Sequence, residues 1–236
     1  MELIWQDDRI VVCVKPEGVL STDEPGGVPD LVREALGDPD AVVRTVHRLD
    51  RVVSGLMILA RTARAASDLS AQIRSGVFQK EYLAVCRGST PDAGTLRDLL
   101  YRDPAARMTR VAPEPGKNVQ EAELQYETID RREGTSLVRI RLMTGRTHQI
   151  RVQFSSRGFP LLGDRRYGIE DGCASIALWS YRIRCTHPRT GAPLCFTAVP
   201  PLSGAWTIYS DTLEMLGPGQ KQPVDFSLES GYNQLY

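Results

Sequence analysis

Residues 121–142 read EAELQYETID-RREG-TSLVRIRL, two strand-like segments on either side of a short turn that contains glycine. Along the second segment, Val138, Ile140 and Leu142 alternate with Leu137, Arg139 and Arg141. Successive side chains of a strand point to opposite faces, so the first set is predicted to point inward and the two arginines outward. The pattern predicts an antiparallel β-hairpin at this point of the chain.

The sequence on both sides of this hairpin predicts more strands than helices. Strands are predicted at Arg9–Val14, Gly55–Ala60, Lys80–Val85, Ala177–Cys185 and Leu194–Ala198. Helices are predicted at Pro29–Leu36, between Thr62 and Gly76, from Gly145 to Arg157 and from Ser203 to Leu216. Residues 91–118 contain four prolines and are expected to form a long irregular excursion. Strands arranged in hairpins favour an α+β fold with a mixed, mainly antiparallel sheet and flanking helices.

Composition limits the class of protein. The chain has 236 residues, of which 42% are hydrophobic and 25% charged, as in ordinary globular proteins. No apolar run is long enough to span a membrane, and the N-terminus is acidic where a signal peptide needs positive charge. Five scattered cysteines without a C-x-x-C pair argue against a disulfide framework. We expect a soluble, cytoplasmic monomer with one domain over residues 1–216 and a tail over residues 217–236, which lacks periodicity.

The formal net charge of zero conceals an uneven distribution. Residues 1–41 hold ten acidic and three basic residues, whereas residues 131–166 hold nine arginines and two acids. A basic segment of this kind is typical of a surface that follows nucleic-acid phosphates. The alternative is an ordinary solvated surface. The whole chain has 25 arginines and 4 lysines, and GC-rich coding also produces such an excess of arginine.

Two polar clusters adjoin predicted strands. The first is His47-Arg48-Leu49-Asp50, where arginines at 48 and 51 would keep the Asp50 carboxylate ionised, as a nucleophile or base requires. The second is Lys80-Glu81-Tyr82, in which Tyr82 could stack on a planar ring and offer its hydroxyl for proton transfer. The alternatives are an aspartate that only caps a loop and a tyrosine that only fills the core.

A third cluster, residues 144–151, reads TGRTHQIR. In helical geometry Thr147 and Arg151 share a face with Arg146 beside them, and such a helix start would suit an anion. The alternative is a surface helix with an exposed basic side. A metal site is not expected, because the three histidines are far apart in sequence and each has an arginine within two residues.

Together these clusters resemble the RluA-type RNA pseudouridine synthases. The match continues through Gly158, Pro160, Gly163-Asp164, Tyr167-Gly168 and His187-Pro188, in the same order over residues 6–216. The resemblance implies a pseudouridine synthase fold with a central catalytic cleft. It also implies isomerisation of uridine to pseudouridine in tRNA or ribosomal RNA without a cofactor or metal.

The resemblance also implies roles for individual residues. Asp50 is the implied catalytic aspartate, Tyr82 the residue that stacks on the base, and Arg146 the partner that keeps Asp50 ionised. Substrate-binding residues are implied at His47, Arg48, Leu142, Thr147, His148, Gln149 and Arg151.

Several positions depart from the family pattern. Val52 and Val53 stand where an acid and a threonine are usual, and Gln153 and Trp179 stand where histidines are common. An N-terminal RNA-binding domain found in many members is expected to be missing, since the first strand is predicted near Arg9. Two alternatives stay open: a non-catalytic RNA-binding or RNA-folding protein that uses the same cleft, and a nucleosidase that releases free uracil.

Overall fold

A computed structural model describes residues 1–217, in which eleven strands form one sheet. The strands are β1 (Glu2–Gln6), β2 (Ile10–Lys15), β3 (Arg44–Thr45), β4 (Ser54–Ala60), β5 (Gln79–Arg87), β6 (Ala93–Asp103), β7 (Met108–Ala112), β8 (Val119–Arg132), β9 (Thr135–Leu142), β10 (Leu178–Thr186) and β11 (Pro193–Thr197). The helices are α1 (Val28–Leu36), α2 (Ala63–Ser75), α3 (Gln149–Ser155) and α4 (Ser210–Met215), with a 3₁₀ helix at Gly204–Tyr209.

The strand order is β1-β2-β4-β10-β5-β9-β8-β6-β7, with β11 paired to β10 and β3 paired to β4. The β4–β10 pair is parallel and short, and the other pairs are antiparallel. This arrangement confirms the predicted α+β fold with a mixed, mainly antiparallel sheet. β10 pairs with β4 on one edge and with β5 on the other. The parallel β4–β10 contact therefore joins two halves of the sheet.

Both faces of the sheet are covered, and the alternation within β4 shows this directly. Leu56 and Ile58 pack into a core that also contains Leu69 of α2, whereas Met57 and Leu59 pack into a second core on the opposite side. The second core contains Tyr82 together with residues of α1 and α3. The face of the sheet that α1 and α3 cover, called here the α3 face, therefore also carries the three polar clusters.

The predicted hairpin over residues 121–142 is confirmed as β8 and β9. Glu133 and Gly134 both have positive φ, 53° and 70°, as a tight turn between right-twisted strands requires. In β9 both Leu137 and Val138 are fully buried, since the strand is central and covered on both faces. The predicted Thr62 cap of α2 is also confirmed, as its hydroxyl accepts the Ala65 N–H at 3.0 Å.

Two sequence predictions about strands were wrong. Residues 91–118 are not irregular: β6 and β7 form a hairpin that pairs with β8. Pro91, Pro104 and Pro113 stand just outside the ends of these strands, so they bound the strands rather than prevent them. The first strand begins at Glu2 rather than near Arg9.

The helix predicted from Gly145 begins only at Gln149. His148 before it has a φ of 55°, in the left-handed region, which separates residues 145–147 from the helical turns. The helix predicted over 203–216 is divided into a 3₁₀ turn and α4. The tail predicted over 217–236 lies outside the described residues except for Gly217. Within residues 1–217 no helix is long and apolar enough to cross a membrane.

Asp7 links the β1–β2 turn to the β10–β11 turn. Its carboxylate accepts the Arg9 and Ile10 N–H groups at 2.7 and 2.8 Å and lies 2.7 Å from His187 Nε2. Burial raises the pKa of Asp7, but these hydrogen bonds outweigh it and the net pKa is lowered. Asp7→Ala is expected to lower the free energy of unfolding by about 1–2 kcal/mol in urea denaturation.

The pH dependence of this loss has a defined sign. Because the folded pKa is lowered, the contribution of Asp7 is fully present above its ordinary value of 3.8 and disappears as pH falls through the folded value. The difference between wild type and Asp7→Ala should therefore shrink below about pH 4. Asp8→Ala is the control, because Asp8 is 57% exposed in its ion pairs and its loss should stay within about 0.5 kcal/mol. An equal loss in both variants would contradict the prediction.

Candidate active site

The three polar clusters line one cleft of about 1420 Å³ that opens on the α3 face and extends to the end of α2. Its walls come from the loop before β4, the end of α2, β5, the end of β9 and the start of α3. Eight basic and two acidic residues line it. The basic residues are Arg44, Arg48, Arg51, Arg74, Lys80, Arg102, Arg146 and Arg151, and the acidic residues are Asp23 and Asp50. Such a cleft attracts polyanions.

Asp50 stands in the loop between β3 and β4, and the β2–α1 segment holds this loop on both sides. Ser21 Oγ donates to Leu49 O at 2.9 Å and accepts the Leu49 N–H at 3.1 Å. Lys15 Nζ donates to Arg51 O at 3.1 Å, and the Gly18 N–H donates to the same oxygen at 2.8 Å. The residues on either side of Asp50 are thereby fixed, which places its carboxylate in the cleft.

Ser21→Ala is expected to lower kcat of the reaction at Asp50 by about tenfold with little change in KM, since small misplacements of a reacting group cost rate rather than affinity. The buried Leu49 N–H and C=O would lose their partner, lowering stability by about 1–2 kcal/mol. Steady-state kinetics and urea denaturation measure the two effects. Ser67→Ala, on the exposed face of α2, should change neither. A normal kcat for Ser21→Ala would show that Ser21 does not position Asp50.

Arg151 of α3 connects Asp50 to a second carboxylate. Its Nη1 donates to Asp50 Oδ2 at 3.0 Å, while Nε and Nη2 donate to the two oxygens of Asp164 at 2.8 and 2.7 Å. The Asp164 side chain is completely buried, and Oδ1 also accepts the Arg166 and Tyr167 N–H groups. Bidentate pairing of this kind fixes the guanidinium plane and therefore its third donor.

Burial and pairing act in opposite directions on these groups. Burial raises the pKa of Asp164, but the hydrogen bonds and charge of Arg151 outweigh it, so the pKa is held below its usual range. Burial alone would lower the pKa of Arg151, and the two carboxylates raise it overall. Arg151 therefore presents a permanent positive charge to Asp50.

His148 and Tyr167 extend this network. His148 Nε2 lies 3.7 Å from Asp50 Oδ2, and Nδ1 lies 2.7 Å from the Tyr167 hydroxyl. That hydroxyl accepts the Thr109 N–H at 2.7 Å, and the Tyr167 ring lies under the Arg151 guanidinium, 5.1 Å from its centroid. Burial lowers the pKa of His148 more than Asp50 raises it, so the ring is neutral near pH 7.

The structure corrects the predicted partner of Asp50. Arg146 does not pair with it, because its Nε donates to Glu121 O at 2.8 Å at the edge of β8. Arg151, predicted to bind substrate, makes the contact instead. The prediction assumed a helix from Gly145, whereas Arg146 lies in the preceding loop. The helix start expected to hold an anion is also absent at Thr147, which is exposed in that loop.

Gln149, predicted to bind substrate, holds this loop. Its Oε1 accepts from Thr144 Oγ1 and the Arg146 N–H, and its Nε2 donates to Glu123 O. All of these partners belong to the protein, so the residue shapes the cleft wall from behind. Arg48 and Thr147 are exposed in the cleft and Leu142 is half-buried, as substrate contact requires.

Tyr82 lies on β5 between Ile140 of β9 and Ser180 of β10. It is 5% exposed and lines the same cleft as Asp50. Burial and then the Asp50 charge raise the pKa of its hydroxyl, so the phenol stays protonated. The structure therefore brings Tyr82 and Asp50 into one cleft, with the ring held by the sheet.

His47 is buried behind Asp50. Its Nε2 accepts the Ile58 N–H of β4 at 3.1 Å, and its ring packs at a tilt against Phe78, with the centroids 5.3 Å apart. Burial lowers the pKa of His47 to about 3, so the ring is neutral with its proton on Nδ1. One of the two ring nitrogens, Nε2, is thus used in a hydrogen bond within the fold.

The basic segment over residues 131–166 contributes fewer arginines to the cleft than its charge predicts. Four of its nine arginines lie outside the cleft in ion pairs: Arg131 with Asp92, Arg132 with Asp130 and Asp211, Arg139 with Glu127, and Arg157 with Asp98. The basic lining of the cleft comes instead from several separated segments. Sequence reasoning also gave no role to Asp164, Tyr167, Ser21 or Lys15. Within residues 1–217 no group of three His, Cys, Asp or Glu residues is placed to hold a metal ion.

Comparison with known proteins agrees with this geometry. A family model described as RNA pseudouridylate synthase matches residues 9–156. The dual-specificity RNA pseudouridine synthase RluA of Yersinia pestis is 34% identical over 205 residues, which is 83% of this chain and 97% of the relative. The ribosomal large subunit pseudouridine synthase D of Neisseria meningitidis serogroup A is 30% identical over 84% of this chain. This chain spans 58% of the length of that second relative.

Solved structures show the same fold. The human RNA pseudouridylate synthase domain containing 1 superposes with a TM-score of 0.74 over 97% of this chain and 91% of its own, at 21% identity. The human domain containing 4 gives 0.72 at 20% identity. The family model covers more than half of the chain, and the Yersinia relative is covered almost completely. This chain belongs to the RNA pseudouridine synthase family.

Proposed function

We propose that this RNA pseudouridine synthase converts a uridine of tRNA or ribosomal RNA to pseudouridine, with Asp50 as its catalytic carboxylate. The observation that carries the proposal is the position of Asp50 in a cleft with eight basic residues, hydrogen-bonded to the buried Arg151. A carboxylate in such a cleft would be unsuitable for a protein that only binds phosphates, because it would repel them.

The cleft supports a base-flipping reaction. A uracil inside a stem or stacked loop cannot turn over, so it must leave the stack at a cost of about a few kcal/mol. Tyr82 offers a ring for stacking, and the basic residues offer contacts to the backbone on both sides. Phosphate contacts of this kind position RNA without reading its sequence.

Asp50 is proposed to act on the ribose while the glycosidic bond breaks, either by attack or by removing a proton. Both routes need an ionised carboxylate, which Arg151 stabilises, and a defined direction, which Ser21 and Lys15 supply. The released uracil turns in the cleft and bonds to the sugar through carbon 5. The Tyr82 hydroxyl, which stays protonated, is proposed to relay the carbon-5 proton: its oxygen accepts that proton while its own proton passes to water in the cleft.

Tritium release from RNA labelled at uracil carbon 5 tests the function, with bulk tRNA and ribosomal RNA transcripts as substrates and EDTA in the buffer. Release with the RNA chain and its mass intact is the expected result. Release of free uracil would favour a nucleosidase. Tight binding without tritium release from any of these RNAs would favour the non-catalytic RNA-binding protein.

The names of the relatives include both a dual-specificity enzyme and ribosomal large subunit enzymes. We propose ribosomal RNA as a candidate substrate on that ground and tRNA as a second, as the sequence resemblance implies. Residues 1–216 are proposed to be the catalytic domain and to act as a monomer in the cytoplasm. Light scattering of the purified chain tests the monomer, and labelling of both RNA classes in parallel tests the substrate.

A further inference from the structure

Lys80 occupies one wall of the cleft next to Tyr82. It lies two residues before Tyr82 on β5, so the two side chains point to the same face of the sheet. Across the strand pair it stands opposite Leu142 of β9, another residue of the cleft. Lys80 therefore adjoins the place proposed for the flipped base.

The Lys80 side chain is half-buried in the cleft wall, and burial lowers the pKa of its ammonium. Two buried basic groups near Asp50 are compensated by the protein: Lys15 donates to two carbonyl oxygens, and Arg151 donates to two carboxylates. Within residues 1–217 the ammonium makes no hydrogen bond or ion pair that would offset this desolvation. A partly desolvated cation without a partner in the protein is stabilised when an anion from outside the protein supplies the opposite charge.

The neighbours of Lys80 leave room for such a ligand. A Cβ atom at Gly145 would come within 3.3 Å of Lys80 Nζ, so the missing side chain there makes space for the ammonium. The Lys80 charge also lowers the pKa of His47, which places the two groups close together. His47 Nδ1 is buried, and it has no hydrogen-bond partner among the described residues. This wall of the cleft thus holds two nitrogen donors that the fold does not use.

We propose that Lys80 binds a backbone phosphate next to the flipped uridine and so anchors the target nucleotide against Tyr82. An anion is favoured over a uracil carbonyl because only an anion compensates the charge of the half-buried ammonium. RNA supplies such anions as phosphodiesters. The inference rests on the proposed function, since it assumes that RNA occupies the cleft.

The salt dependence of RNA binding tests the inference independently of turnover. The variants are Lys80→Met and Lys117→Met, which remove the same charge, the second from an exposed loop outside the cleft. Binding is measured by filter retention with two probes. One is bulk tRNA, and the other is a short stem–loop that contains the target uridine before its conversion. Lys80→Met is expected to weaken binding to the stem–loop about tenfold and to reduce the slope of log Kd against log salt by about 0.7–0.9. Lys117→Met is expected to change neither.

Methylphosphonate substitution identifies the phosphate. Neutralising one of the two phosphates that flank the target uridine should weaken binding by wild type and have no further effect on Lys80→Met. Gly145→Ala provides a second variant that keeps the charge: its φ is not left-handed, and the added methyl group crowds Lys80 Nζ, which must shift by a few tenths of an ångström. The methylphosphonate should therefore weaken RNA binding by Gly145→Ala less than it weakens RNA binding by wild type.

The outcomes separate the two proposals. An unchanged salt slope in Lys80→Met, or equal sensitivity of wild type and Lys80→Met to both methylphosphonates, would overturn the role of Lys80 while tritium release still supports the enzyme. If no RNA releases tritium, the stem–loop is replaced by bulk tRNA alone. If log Kd for bulk tRNA then has the same slope against log salt in Lys80→Met and wild type, the role of Lys80 is overturned together with the proposed function.

Discussion

Asp50→Asn is expected to lower the rate of pseudouridine formation by about 10⁴-fold or more while RNA affinity stays within about threefold of wild type. Asparagine keeps the shape of the side chain, and its amide oxygen can still accept from Arg151 Nη1, so the buried network should remain intact. The amide is neither a nucleophile nor a base at neutral pH. Single-turnover tritium release measures the chemical step, and filter binding measures affinity.

A matched control separates chemistry from charge. Asp68→Asn on α2 makes the same change at an exposed position, where the Arg64 contact is 4.0 Å long, and should leave rate and affinity unchanged. A rate for Asp50→Asn within about tenfold of wild type would remove Asp50 from the reaction. Loss of both binding and stability in this variant would instead indicate that the carboxylate serves the fold.

The parts of the fold that could be predicted are those governed by local periodicity and turn chemistry. The β8–β9 hairpin follows from alternation and from the Glu133-Gly134 turn, where both residues have positive φ. Helix α2 follows from a capping threonine at 62 and a left-handed glycine at 76. In both cases the residues that define the element are neighbours in sequence, so no tertiary contact is needed to infer it.

The β6–β7 hairpin shows where prolines mislead. Its prolines stand at strand ends, while buried Leu96 and Leu100 within β6 carry a weak apolar signal among exposed polar residues. β7 is the edge strand of the sheet and β6 lies next to it, and many side chains of both strands are exposed or half-buried. The hairpin depends on the pairing of β6 with β8, a contact between residues about 20–35 positions apart in sequence.

Which arginine contacts Asp50 could not be predicted from local sequence patterns, because the contact depends on the folded geometry. Arg146 and Arg151 are equally plausible in sequence, and a helix from Gly145 would place both near an anion. The left-handed φ of His148 shifts the helix start to Gln149 and turns Arg146 toward Glu121. Asp164, which fixes Arg151, lies thirteen residues further along a loop. No periodicity connects these two residues, so the buried pair becomes visible only in the folded chain.

Arg151→Met is the second substitution with a large expected effect, because Arg151 serves both the reaction and the fold. Without it, Asp50 loses the hydrogen bond that orients it, and activity should fall by about 10³-fold or more. Asp164 would be left as a completely buried carboxylate without its cation, which should lower the free energy of unfolding by about 3–5 kcal/mol. Urea denaturation and single-turnover tritium release measure the two losses separately.

The double variant Arg151→Met/Asp164→Asn separates these roles. The amide removes the unpaired charge, and its oxygen can still accept the Arg166 and Tyr167 N–H groups, so most of the stability should return while activity stays lost. In wild type the pKa of Asp164 is lowered, so its contribution disappears as pH falls. In Arg151→Met burial raises that pKa instead, and protonation relieves the buried charge. The stability deficit of the single variant should therefore narrow as pH falls, and recovery of activity in the double variant would show that Arg151 acts only through folding.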